Sequence, residues 1–248
     1  MKELNTNLKN IRNYFSLIYY QNNATKEETY NFLRECLKFT FDQNNLNVND
    51  YDVTFHIPKH VPLQKSNAAM VANEKDPKKF DVFLNAESLK FKSIDDMDCL
   101  LYYIFVCYHE FGHIIQYVTK PDHMAIFDED VILMQEAIED FKCASHKTKF
   151  DRKIQRELEK YTDAQEIISY VEKDASKQAF TYYKAMLDQL IVHEQDDELA
   201  DFFASVYANL QYIKKDEYVF YRKYHHQNKE ALEFLKKHKL VEDVVIDA

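Results

Sequence analysis

The sequence predicts a mostly helical α+β protein with a small antiparallel or mixed sheet and a central helix that carries the functional groups. Three observations lead there. One glycine and four prolines in 248 residues leave too little punctuation for an all-β chain. Apolar residues at three- and four-residue spacing recur along most of the chain. Only residues 50–91 break that rhythm, with runs that alternate as strands do.

The N-terminal part reads as two helices, over residues 4–20 and 26–41. The second opens at Thr25 with Glu28 three residues on, which is a capping-box pattern. Alternation then marks strands at 52–57 and 80–84, with a third at 68–72, and Pro58, Pro62 and Pro77 separate these runs. Ser93 and Asp96 can cap the helix that follows, which runs through the apolar stretch 99–108 and stops before Pro121. Being apolar on all sides, it should be buried at the centre. Helices are expected beyond it at 128–142, 152–161, 169–192, 197–212 and 216–240. The expected organisation is a helix pair (1–48), a core (49–192) and a helical extension (193–248), together one compact unit.

Bulk properties narrow the function. With 46% apolar residues, and 18 Tyr and 18 Phe, the chain can bury a ring-rich core. A net charge of −10 and the lack of any dense basic run argue against nucleic acid as a partner. Cys36, Cys99, Cys107 and Cys143 form no CxxC pair and are read as reduced thiols. The N-terminus shows no export signal, and the longest apolar run, about ten residues, is half what a membrane span needs. A cytoplasmic protein without membrane association is expected.

The chemistry concentrates in His109-Glu110-Phe111-Gly112-His113. On a helix, two histidines four apart leave the same face one turn above each other, where both can grip one metal. Glu110 stands beside them, placed to take a proton from a zinc-bound water whose pKa the metal has lowered. Composition alone would produce HExxH in about 3% of shuffled chains, so the weight falls on context. A buried helix carrying two His and a Glu without partners would lose roughly 1 to 3 kcal/mol per group. The bland alternative is a satisfied polar cluster in a helical core.

Gly112, the one glycine of the chain, adds a separate argument. A mid-helix Gly costs roughly 0.5 to 1 kcal/mol relative to Ala, so something is expected to press close to that face. Catalytic zinc needs a third protein ligand. The first candidate is Glu172, near the start of a helix whose Ala175 and Ala179 would let it lie against Gly112. Against it stands a structural role, since Ser169 and Glu172 also make a capping box. The rivals are Asp197 and Glu198, which open a later helix where acidic residues are ordinary.

HEFGH followed by Glu172, Asp174, Ala175 and Ala179 on a helix resembles the gluzincin branch of the zincin peptidases, the compact bacterial ImmA/IrrE group above all. The resemblance covers roughly residues 80–190. It implies a zincin-like fold with bound Zn2+, ligands His109, His113 and Glu172, general base Glu110, and residues 80–84 as the edge strand that pairs with an extended substrate. The pattern departs at Ser176, where larger gluzincins carry an Asp that orients a ligand His. Neither the metzincin extension nor a helix-turn-helix is evident.

An oxyanion stabiliser is also expected, with Tyr182, Tyr183 and His193 as candidates. His56 and His60 flank Pro58 and read as exposed turn residues, and His225 and His226 as surface residues of a helix. The functional expectation is a zinc peptidase acting on a peptide or protein. Two alternatives stand beside it: a regulatory ImmA-like protease that cuts one specific partner, and a non-catalytic binding module with zinc closed in by a fourth ligand such as Asp197 or His193.

Overall fold

A computed structural model describes residues 4–21, 24–56, 68–84, 97–144 and 148–240. Ser93, Asp96, Pro58, Pro62 and His60 lie outside them, as does the side chain of Cys99. The described residues form seven α-helices and a three-stranded mixed sheet, a mostly helical α+β architecture. None of these helices is long and apolar enough to cross a membrane.

The elements follow from local chemistry. α1 (Thr6–Gln21) and α2 (Lys26–Gln43) are the expected N-terminal pair. The Thr25 hydroxyl accepts from Glu28 N–H, and the Thr25 amide donates back to the Glu28 carboxylate, so the capping box is complete. β1 (Asp52–His56), β2 (Ala68–Asn73) and β3 (Asp76–Leu84) follow. Asn73 turns the β2–β3 hairpin by accepting from the amides of Lys75 and Asp76.

The strand order is β1-β3-β2, with β3 parallel to β1 and antiparallel to β2. Residues 80–84 therefore form the centre of the sheet, which corrects their expected place at an edge. Among the described residues the edges are β1 and β2. Pro77 does not separate runs either. It sits inside β3, beside the register shift at Ala72/Asn73 and before pairing with β1 begins at Lys79, where a missing N–H breaks no regular ladder. His56 ends β1 rather than lying on a turn. Its Nε2 is 2.6 Å from Asp81 Oδ1, and its ring stacks on Phe83.

The chain divides into two compact units, residues 1–121 with 174–214, and residues 122–173 with 215–248. The divisions fall within helices. In the first unit, α3 (Met97–Thr119) packs on α2, β2 and β3. Leu100, Ile104, Tyr108, Phe111 and Ile115 of α3 are buried in one cluster with α1, α2 and the sheet. Phe111 meets Phe55 and Tyr108 edge-on, and Tyr108 stacks on Tyr183 of α6 (Tyr170–His193). Cys36 and Cys107 lie free within this core, where burial pushes both thiols up and leaves them unreactive. Cys143 is also free, and exposed.

In the second unit, α4 (Pro121–Ala144) is largely exposed, whereas α5 (Lys149–Ile168) packs on the far part of α7 (Asp197–Lys237). There Lys153 lies over the Phe234 ring and Gln227 donates to the Lys160 carbonyl. α7 is one helix of 41 residues where two were expected. Residues 213–215 contain no Gly or Pro to stop it. His225 and His226 lie on its exposed surface.

Arg12 of α1 ties the joint between α6 and α7, donating through Nε and a terminal nitrogen to the two Glu194 carboxylate oxygens, each at 2.8 Å. Glu194 also accepts from the amides of Gln195 and Asp196. Burial pushes the Glu194 carboxyl up, but the bonds from Arg12 and those amides, with the Arg12 charge, outweigh it and hold the group below its ordinary value. A depressed carboxyl stabilises the fold above its unfolded pKa, and that contribution is lost as pH falls through the folded value. Glu194→Gln is accordingly expected to cost roughly 1 to 3 kcal/mol at pH 7. Thermal unfolding of both proteins should show the gap closing below the ordinary glutamate range. A gap that stays constant down to acid pH would show that the charge of Glu194 contributes nothing.

Candidate metal centre

The site rests on two helix faces with the same spacing. On α3, His109, Gly112, His113 and Gln116 stand at i, i+3, i+4 and i+7. On α6, Glu172, Ala175, Ser176 and Ala179 repeat that interval. The two faces meet at Gly112, where an added Cβ would lie 3.1 Å from the Ala175 Cα and 3.1 Å from the Ala175 carbonyl oxygen. The bare backbone of Gly112 permits this approach, and the fully buried Ala175 and Ala179 are the small residues that use it.

That contact sets the polar geometry. His109 Nδ1 is 3.0 Å from Ser176 Oγ. His113 Nδ1 is 2.9 Å from Gln116 Oε1, and the Nε2 atoms of the two histidines face each other at 3.0 Å. Two imidazoles on one tetrahedral zinc, bound at about 2.0–2.1 Å, place their nitrogens roughly 3.3 Å apart, so this pair needs little adjustment to share an ion. A Glu172 carboxylate oxygen completes the group, and the three ligand atoms lie within 4.8 Å of one another. His109, His113 and Glu172 can hold a metal ion. Among the described residues they are the three potential ligands brought together in this way.

The choice between ligand and cap at Glu172 also has a local answer. Ser169 Oγ accepts from Glu172 N–H, so half of the capping box forms. The Ser169 amide donates to the Glu166 carbonyl at the end of α5, while the Glu172 carboxylate lies with the histidines. Asp197 and Glu198 stand in the first turn of α7 beside Asp196, whose Oδ1 accepts from the amides of Glu198 and Leu199. That is ordinary capping chemistry.

Glu110 is 7% exposed, so it lies in the buried part of α3, one residue from His109. The three candidate stabilisers lie elsewhere. Tyr183 is fully buried against Tyr108, and among the described residues its hydroxyl has no hydrogen-bond partner. Burial holds its pKa well above the ordinary value. The Tyr182 hydroxyl is engaged with Asn44 and Gln178. At the rise of a helix, Tyr182 and Tyr183 are about 15 Å from Glu172 along α6, and His193 about 30 Å. The described partners of Tyr182 and Tyr183 are Asn44, Gln178 and Tyr108, and His193 lies too far along α6 to join the His109, His113 and Glu172 group. His193 is thereby also excluded as a fourth ligand.

Residues outside the HExxH pattern complete the surroundings. Gln116 Nε2 donates to Asp174 Oδ2 at 3.2 Å, and the same oxygen receives Gln178 Nε2 at 2.8 Å and Lys120 Nζ at 3.2 Å. Burial raises the Asp174 carboxyl, but these three donors and the Lys120 charge together hold it below its ordinary value. Ser176, four residues after Glu172, presents its hydroxyl to His109. Gln116 has a signal in the sequence: it is a polar residue on an apolar helix, three residues beyond His113 and on the same face.

No protein-family model, curated protein or solved structure matches the chain. The site is therefore argued from its own geometry.

Gly112→Ala tests the close approach. The new Cβ would require α6 to yield by a few tenths of an ångström. The gain in helix propensity, roughly 0.5 to 1 kcal/mol, opposes the cost of that contact, so global stability should change little. Zinc affinity, measured by competition with a chromophoric chelator, should fall because Glu172 moves with α6. Unchanged affinity would separate the Gly112 contact from the metal ligands.

Proposed function

We propose that the chain is a zinc-dependent peptidase. The observation that supports it most directly is the convergence of His109, His113 and Glu172 within 4.8 Å, with the buried carboxylate of Glu110 next to His109 on α3. Three protein ligands are the number used by catalytic zinc, which keeps one position for reactants, whereas structural zinc takes four. When bound, zinc would polarise a peptide carbonyl and acidify water.

The chain's own residues do the rest in this reading. His109 and His113 present their Nε2 atoms on one face of α3, oriented by Ser176 and Gln116 through Nδ1. Glu110 accepts the proton of the attacking water and delivers it to the departing amine, which makes it general base and then general acid. The peptide is expected to pair with β2, an edge strand among the described residues that packs beside α3. Its outer main-chain groups suit an extended substrate.

Metal analysis and peptidase assays on wild type and Glu110→Gln test this function. Both proteins should carry about one zinc per chain, and Glu110→Gln should lose roughly 10²- to 10⁴-fold in cleavage of a denatured-protein panel. A native protein that takes up no zinc, or a Glu110→Gln variant as active as wild type, would overturn the proposal. Zinc retained with no cleavage by the wild type would point to a binding module instead.

A further inference from the structure

Gln116 is 2% exposed and lies one helical turn beyond His113 on the face that carries both histidines. Its side-chain oxygen faces His113 Nδ1 and its nitrogen faces Asp174 Oδ2. An amide side chain can be turned end for end at little change in shape, so its direction must be set by its neighbours. A carboxylate oxygen can only accept. Asp174 thus requires the NH2 end of Gln116, and the carbonyl end is left for His113.

The consequence passes to the imidazole. Gln116 Oε1 can only accept, so His113 Nδ1 must carry the proton, and in the neutral ring Nε2 then keeps its lone pair. Nε2 is the atom that faces His109 Nε2 and belongs to the ligand group. With Gln116 reversed, its NH2 would meet Nδ1, force the proton onto Nε2 and spoil that nitrogen as a ligand. Its carbonyl would also oppose the Asp174 carboxylate.

Asp174 is held in place by further donors. Lys120 Nζ lies 3.2 Å away, one residue beyond the end of α3. Gln178, one turn further along α6, donates to Asp174 while its own oxygen accepts from the Tyr182 hydroxyl, which also bonds Asn44 of the loop after α2. We propose that Gln116 is a positioning residue that fixes the Nδ1–H tautomer of His113 for metal binding, and that Asp174 fixes the direction of Gln116. The inference rests on His113 being a metal ligand, as read above. It makes the Asn44–Tyr182–Gln178–Asp174–Gln116 chain an outer support of the site, and gives Tyr182 a place in that support.

Two measurements test this. Nitrogen-15 NMR of the histidine rings in metal-free protein should show His113 as the Nδ1–H tautomer in wild type and shifted toward Nε2–H in Gln116→Leu. Zinc titration against a chromophoric chelator should show Gln116→Leu weakened about 10- to 100-fold. Asp174→Ala, in which Gln116 is free to turn, should show mixed tautomers and weakened affinity, and it serves if Gln116→Leu does not fold. The double variant Gln116→Glu with Asp174→Asn restores an acceptor facing His113 and a donor facing position 116, and should bind zinc nearly as wild type does. A general packing role for Gln116 predicts no such rescue.

If His113→Ala abolishes zinc binding while Gln116→Leu and Asp174→Ala bind as wild type with the same tautomer, the positioning role is overturned and the metal site stands. If wild type binds no zinc, the metal reading fails, and the tautomer measurement still decides whether Gln116 sets the His113 proton.

Discussion

The contact between Gly112 and Ala175 is the constraint on which the site depends. Helices packed through ordinary side chains hold their axes about 8–10 Å apart. Here an added Cβ at Gly112 would stand 3.1 Å from backbone atoms of Ala175, so a bare position on one helix meets a methyl group on the other. The short hydroxyl of Ser176 reaches His109 because the helices are this close. A gap wider by one methyl group would call for a longer side chain there. Glu172, one turn before Ala175 and Ser176, is carried to the histidines by the same approach. A chain that avoids glycine everywhere else uses its single copy where two backbones must nearly touch.

Burial then dictates which polar groups are tolerable. Glu110, His113, Gln116 and Ser176 lie within a core built from Tyr108, Phe111, Tyr183 and their neighbours. Each would cost roughly 1 to 3 kcal/mol if left without a partner. His113, Gln116 and Ser176 are arranged instead in a chain of matched donors and acceptors that runs from Ser176 through the two imidazoles to Gln116, Asp174 and Lys120. Such a chain has a direction, because the carboxylate at one end can only accept. A merely satisfied core cluster would need matched partners too, but it would not need two ring nitrogens and a carboxylate oxygen converging on one point.

Much of this was legible in the sequence, and the missing parts share a cause. Capping at Thr25, the buried character of α3 and the facing of His109 and His113 are set within a few residues, and periodicity reports them. The nearness of Glu172 followed from small residues at 175 and 179 taken together with Gly112. Strand order is set by pairing between distant segments, so alternation at 80–84 identified a strand without revealing that β1 and β2 flank it. The continuity of α7 depends on the absence of a breaker at 213–215, where Lys214 and Lys215 read as a joint. Tyr182, Tyr183 and His193 were plausible by residue type alone. Counting turns along α6 from Glu172 removes His193, and the tertiary partners Asn44, Gln178 and Tyr108 occupy the two tyrosines.

The supports of the two histidines also differ in kind from a carboxylate. A carboxylate on Nδ1 makes the imidazole more basic and strengthens its grip on a metal. Here Ser176 presents a hydroxyl to His109 and Gln116 an amide oxygen to His113, both uncharged. The nearest carboxylate behind them, Asp174, stands one residue further out and is shared among Gln116, Gln178 and Lys120. Its charge orients Gln116 without resting on the imidazole. Under the proposed reading, neutral groups on Nδ1 would leave a bound metal more of its Lewis acidity than carboxylates would. In that reading the negative charge beside the metal would come from Glu172 as ligand and Glu110 as the group that moves the proton.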